Sequence, residues 1–176
     1  MSTAKTIIFV VLYYMVWFSC VGLAARGDDY IALLTSTVIS LIQSTLVVQR
    51  KTCTNFCFYL LIITTVGYCT DSLLNTYHVL SFSNNLWGHY FAPPWILALW
   101  INFAVLCFGL RVFLFDYIRV LPVFGLLGFP LAYLAGMSFV HSATFVKPMS
   151  GPVIQGIIWS MLFPAMVKGC LHFRSQ

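Results

Sequence analysis

Asp71 is the side chain in this sequence most able to do chemistry, because its carboxyl lies inside a long apolar run, NFCFYLLIITTVGYCTDSLLNTYHVL. The other twelve charged residues fall at or near the ends of such runs. A carboxyl at membrane depth costs about 3 kcal/mol or more, and by default it marks a proton carrier, a cation ligand or a substrate anchor. Helical spacing places Thr64, Gly67, Asp71, Asn75 and His78 along one face. Asn102, Tyr133 and Gln155, from later runs, fall in the same half of the bundle. The candidate ligand or proton site is therefore Asp71, Asn75, His78, Asn102, Tyr133 and Gln155.

Two readings of that set stay open. In one, Asp71 bonds to Asn102, Tyr133 or a neighbouring hydroxyl and ties helices together, as polar groups in membrane bundles do. In the other, the same residues line an outward-facing polar cavity. An enzyme would need Asp71 and His78 as acid and base about two turns apart. Zinc on His78, His89 and Asp71 is chemically allowed, but no HxxxH or ExxH spacing supports it. No metal and no cofactor are expected, and His78, His89 and His141 are read as interfacial. The six cysteines are scattered, and the Cys53/Cys57 spacing is neither a redox CxxC nor half of a zinc framework, so no disulfide is expected.

The architecture around these groups follows from composition. The chain has 176 residues, 61% hydrophobic and 7% charged, with no Glu and a mean hydropathy of +0.94. So few polar groups cannot cover a water-soluble surface, which makes the lipid bilayer the solvent and partner. The net charge of +5 then sets membrane topology and does not point to nucleic acid.

A crossing helix needs about 20 largely apolar residues, and six windows qualify. They are roughly 6–25, 30–49, 56–78, 93–115, 119–140 and 152–171, all within one transmembrane domain over 1–176. The expected fold is all-α, a polytopic bundle of about six helices. The first window is read as a retained helix, because its apolar stretch outruns a signal peptide's. Counting Lys and Arg in alternate connections places seven on one face and two on the other, so both termini are expected in the cytoplasm.

Other signals concern packing. Gly128, Ala132 and Gly136 recur every four residues, a small-residue seam for close approach of another helix. Pro93 and Pro94 can open a helix without losing an internal hydrogen bond, whereas Pro130 and Pro164 lie deeper and free carbonyls. Trp87, Tyr90, Phe91 and Trp95 read as an interfacial belt. No nucleotide-binding glycine loop, HExxH or GxSxG is present.

The stretches PPWILALWINFA (93–104) and GLLGFPLAYLAG (125–136), with Asp71-Ser72-Leu73-Leu74 before them and Trp159 to Pro164 after, are more distinctive than generic helix sequence. The chain resembles, over roughly residues 60–165, a proteobacterial inner-membrane family catalogued as domain of unknown function 2878. Phe129 stands where that family's pattern has glycine, and Met137-Ser138-Phe139 replaces its basic, glycine-containing continuation. The resemblance implies a helical fold and a bacterial inner (cytoplasmic) membrane location, and no activity. The leading expectation is a non-enzymatic membrane protein that binds a small apolar or amphipathic ligand or assists a membrane partner, itself or another protein. The alternatives are a proton- or cation-coupled transporter using Asp71 and, third, a lipid-modifying intramembrane enzyme.

Overall fold

Apolar runs become helices here because a chain without water around it must satisfy its peptide groups internally. The computed structural model describes residues 3–83, 85–139 and 143–172. Among them are seven α-helices: α1 (Thr3–Ala25), α2 (Asp29–Ser44), α3 (Cys53–Thr76), α4 (Pro94–Gly109), α5 (Arg111–Asp116), α6 (Leu121–Phe139) and α7 (Ser150–His172). Four spans are long and apolar enough to cross a membrane, Thr6–Ala25, Arg50–Thr76, Leu121–Ser138 and Ser150–Cys170, and α4 is a shorter apolar helix. The architecture is all-α and has the character of a membrane protein.

Two expected helices differ from their windows. The run 93–115 is broken at Leu110 into α4 and α5. At the break, Gly109 has no side chain, and the Phe9 ring of α1 occupies the place a Cβ would take. The run 30–49 ends early, at Ser44. The Ser44 and Thr45 hydroxyls donate to the carbonyls of Leu41 and Ile42 at 2.6 and 2.7 Å, and such local bonds compete with the helical ladder.

Packing divides the bundle around α4, which lies against α1, α2 and α3, while α6 pairs with α7, and α7 also touches α3. The α6–α7 approach is close because it is made at glycines. A Cβ at Gly125 would strike the Trp159 carbonyl, and one at Gly156 the Leu126 carbonyl.

One end of the bundle is closed by two short strands, β1 (Leu80–Phe82) and β2 (Ala143–Phe145), antiparallel with Leu80 opposite Phe145 and Phe82 opposite Ala143. Leu80, Phe82, Ala143 and Phe145 turn inward, and Ser81 and Thr144 outward. The pair fixes the end of α3 beside the start of α7, which sets the depth of everything below it.

Candidate functional site

The site is built in layers, counted down from the strand end. In the lower layer the Trp100 indole of α4 lies over Gly67 of α3, where any Cβ would fall on the ring. On its other side Trp100 stacks with Trp159 of α7, centroids 4.8 Å apart and planes 26° from parallel. Phe129 of α6 continues the stack, 4.4 Å from Trp159 at 13°. Phe103 and Phe163 meet Phe129 at larger angles and complete an aromatic floor.

One helical turn nearer the strand end, each of these positions has a polar successor. Asp71 follows Gly67 on α3, Tyr133 follows Phe129 on α6, and Gln155 precedes Trp159 on the oppositely directed α7. The Trp100 Nε1–H donates to Asp71 Oδ2 at 2.6 Å, and the Tyr133 hydroxyl donates to the same oxygen at 2.5 Å. Asp71 is 0% exposed, so three helices converge on one carboxyl oxygen inside the bundle. Its second oxygen, Oδ1, has no hydrogen-bond partner among the described residues. Neither has the carboxamide of Gln155, at its nitrogen or its oxygen, nor the indole nitrogen of Trp159, although both residues are 0% exposed. Buried polar atoms are nearly always bonded, so four open donors and acceptors in adjacent turns make this layer the candidate site.

Tyr133 also faces the other way. A groove of about 50 Å³ runs between α1 and α6 over α4, lined by Trp17, Ile96, Leu99, Ala132, Tyr133 and Gly136, among others. Its walls are apolar, and the Tyr133 hydroxyl is what connects it to Asp71. Ala132 and Gly136 belong to the small-residue seam. Trp17 lies 3.7 Å from where a Gly136 Cβ would be, and nothing lies within 4 Å at Gly128. The seam thus lines the groove and an open face of α6, while Gly125 and Gly156 make the tight helix contact.

The remaining candidates lie elsewhere. Asn102 faces α1 and α2: Ser40 Oγ donates to its Oδ1 at 3.2 Å, and its Nδ2 donates to the Tyr13 carbonyl at 3.1 Å. It is on α4 two residues from Trp100, and that offset turns it away from Asp71. Gln43 of α2 also ties to α1, its Nε2 donating to the Phe9 carbonyl at 2.8 Å. Asn75 donates to the carbonyls of His89 and Phe91 at 2.9 and 3.1 Å, so it secures the connection before α4. Ser72 and Tyr68 hold the same connection through the backbone of Ala92.

His78 leaves the α3 face altogether. The helix ends at Thr76, and the bonds from His78 N to Asn75 O and from Val79 N to Leu74 O form a Schellman closure, with His78 in the left-handed conformation at φ 54°. It is exposed, outside the helix that carries Asp71. His89 is also exposed, with its ring 3.9 Å from that of Tyr90, and His141 lies outside the described residues. Among the described residues no three His, Cys, Asp or Glu side chains gather as a metal would require, and the six cysteines are free. Trp95, expected at the interface, is buried against Phe82 with centroids 5.8 Å apart.

Sequence reasoning missed Trp100 and Trp159. Trp100 is seven residues before Cys107 and inside a run of Trp, Leu and Phe, where an indole reads as core. The available signal was that a buried indole N–H seeks an acceptor.

A membrane-type helical bundle with one buried, doubly held carboxyl is the class these features define. The chain belongs to the family described as a protein of unknown function (DUF2878), which matches residues 6–165. No curated protein and no solved structure matches it.

Proposed function

We propose that this is a multi-pass protein of the bacterial inner membrane, with both termini in the cytoplasm, that binds a small amphipathic ligand without transforming it. The observation that carries the reading is the double role of Tyr133, whose ring lines the apolar groove while its hydroxyl holds the buried carboxyl of Asp71. A chain entering sideways from the bilayer would meet an apolar wall first and a polar anchor behind it. The indole and phenol that touch Asp71 orient a carboxyl, and neither is a general base at neutral pH. The excess of Lys and Arg in the connections remote from the strands supports placing the strand end outside. A second reading, proton- or cation-coupled transport, is favoured by the unpartnered Asp71 Oδ1. Substrate-driven proton uptake lost in Asp71→Asn would select it.

The binding reading is tested with an alkyl chain carrying a photoreactive diazirine, reconstituted with the protein in vesicles. Crosslinks should concentrate on Trp17, Leu99 and Met137 and disappear in Ala132→Phe, which fills the groove from α6. Crosslinks spread evenly over the exposed helix faces would refute it.

A further inference from the structure

Resting on that reading, we infer that the layer formed by Asp71, Tyr133 and Gln155 receives the head of the ligand, and that this head is a protonated amine.

Trp100 lies against Gly67 and stacks on Trp159, and the residues one turn above those two are Asp71 and Gln155. Their helices start or finish at the same depth, because Asp71 is five residues before Thr76 at the end of α3 and Gln155 is five after Ser150 at the start of α7. The strand pair joins those two ends. Tyr133 closes the third side, on the stack that Phe129 continues.

Among the described residues this layer has two open buried donors, Gln155 Nε2 and Trp159 Nε1, and two open buried acceptors, Asp71 Oδ1 and Gln155 Oε1. An ammonium carries up to three donors and can bond both acceptors, and charge is what selects it over a neutral head. No Lys or Arg stands within two turns of the layer on α3, α4, α6 or α7. The protein therefore brings no compensating positive charge to its one intramembrane carboxyl, although such groups are almost always paired. A primary amine on an alkyl chain supplies that charge, while the chain occupies the groove beyond Tyr133. A bare inorganic cation would leave the apolar groove unused, and an alcohol would bond without balancing charge.

The test compares thermal midpoints of the purified protein in nanodiscs of zwitterionic lipid, with decylamine, decanol, decanoate or sodium chloride added. Decylamine should raise the wild-type midpoint by several degrees and the other three by much less. In Asp71→Asn the decylamine shift should vanish while diazirine-chain crosslinking in the groove persists. That pairing separates failure of the head-group inference from failure of the groove itself. Gln155→Lys provides a variant whose outcome does not depend on tolerance of the Asp71 change. An ammonium supplied from α7 should make it more stable than wild type without added ligand, and indifferent to decylamine. Equal shifts from decanol and decylamine, a sodium chloride shift matching decylamine, or an undiminished decylamine shift in either variant would overturn the inference.

Discussion

Tyr133 and Trp100 bond the same oxygen of Asp71, at 2.5 and 2.6 Å, and leave the other oxygen open. One carboxyl thereby joins α3, α4 and α6, and its removal should cost more than any one bond. Asp71→Leu strands an indole N–H and a phenol inside the bundle, and we expect a loss of about 2–4 kcal/mol. Asp71→Asn keeps an acceptor oxygen and Tyr133→Phe removes one donor, so each should cost about 1–2 kcal/mol. Reversible unfolding in mixed micelles measures all three, and a Leu variant as stable as wild type would contradict the linkage.

Gly67 and Gly128 should differ sharply in their response to the same substitution. At Gly67 the added methyl would lie on the Trp100 ring, whereas at Gly128 it meets nothing within 4 Å. Gly67→Ala should cost about 1–3 kcal/mol, as overpacking does, and alter near-ultraviolet circular dichroism as the indole stack shifts. Gly128→Ala should change stability by less than about 0.5 kcal/mol.

His78 holds a left-handed backbone conformation at the end of α3, which disfavours a residue with a Cβ. His78→Gly should be neutral or up to about 1 kcal/mol more stable, with groove crosslinking unchanged. Loss of ligand binding in this variant would return His78 to the functional site.

Asn75 should behave as a fastener of the connection before α4. Asn75→Leu removes bonds to the His89 and Phe91 carbonyls, and faster amide hydrogen exchange should follow across 85–93. The decylamine response should survive. If it is lost while exchange is unchanged, Asn75 contacts the ligand directly.

The carboxyl was legible from sequence because charge is scarce in this chain, and Tyr133 and Gln155 were legible because polar residues in apolar helices point inward. Spacing alone could not separate Asn102 from this group. Trp100 and Asn102 are two residues apart on α4, and only the rotation of that helix against α3 and α2 decides which one meets Asp71. Helical spacing puts His78 on the Asp71 face, yet the chain turns there with neither glycine nor proline in Asn75-Thr76-Tyr77-His78. The strand pair joins two segments of three residues about 60 positions apart, too short to show alternation and too distant to show a turn. At the break the Phe9 ring stands where a Gly109 Cβ would be, a contact across the bundle that local pattern does not encode.

The groove and the Asp71 layer should act as one ligand site. Native mass spectrometry of the protein released from nanodiscs tests it most directly. Wild type should retain one amphiphile, while Ala132→Phe retains none at an unchanged thermal midpoint. Equal retention by the two proteins would contradict the account.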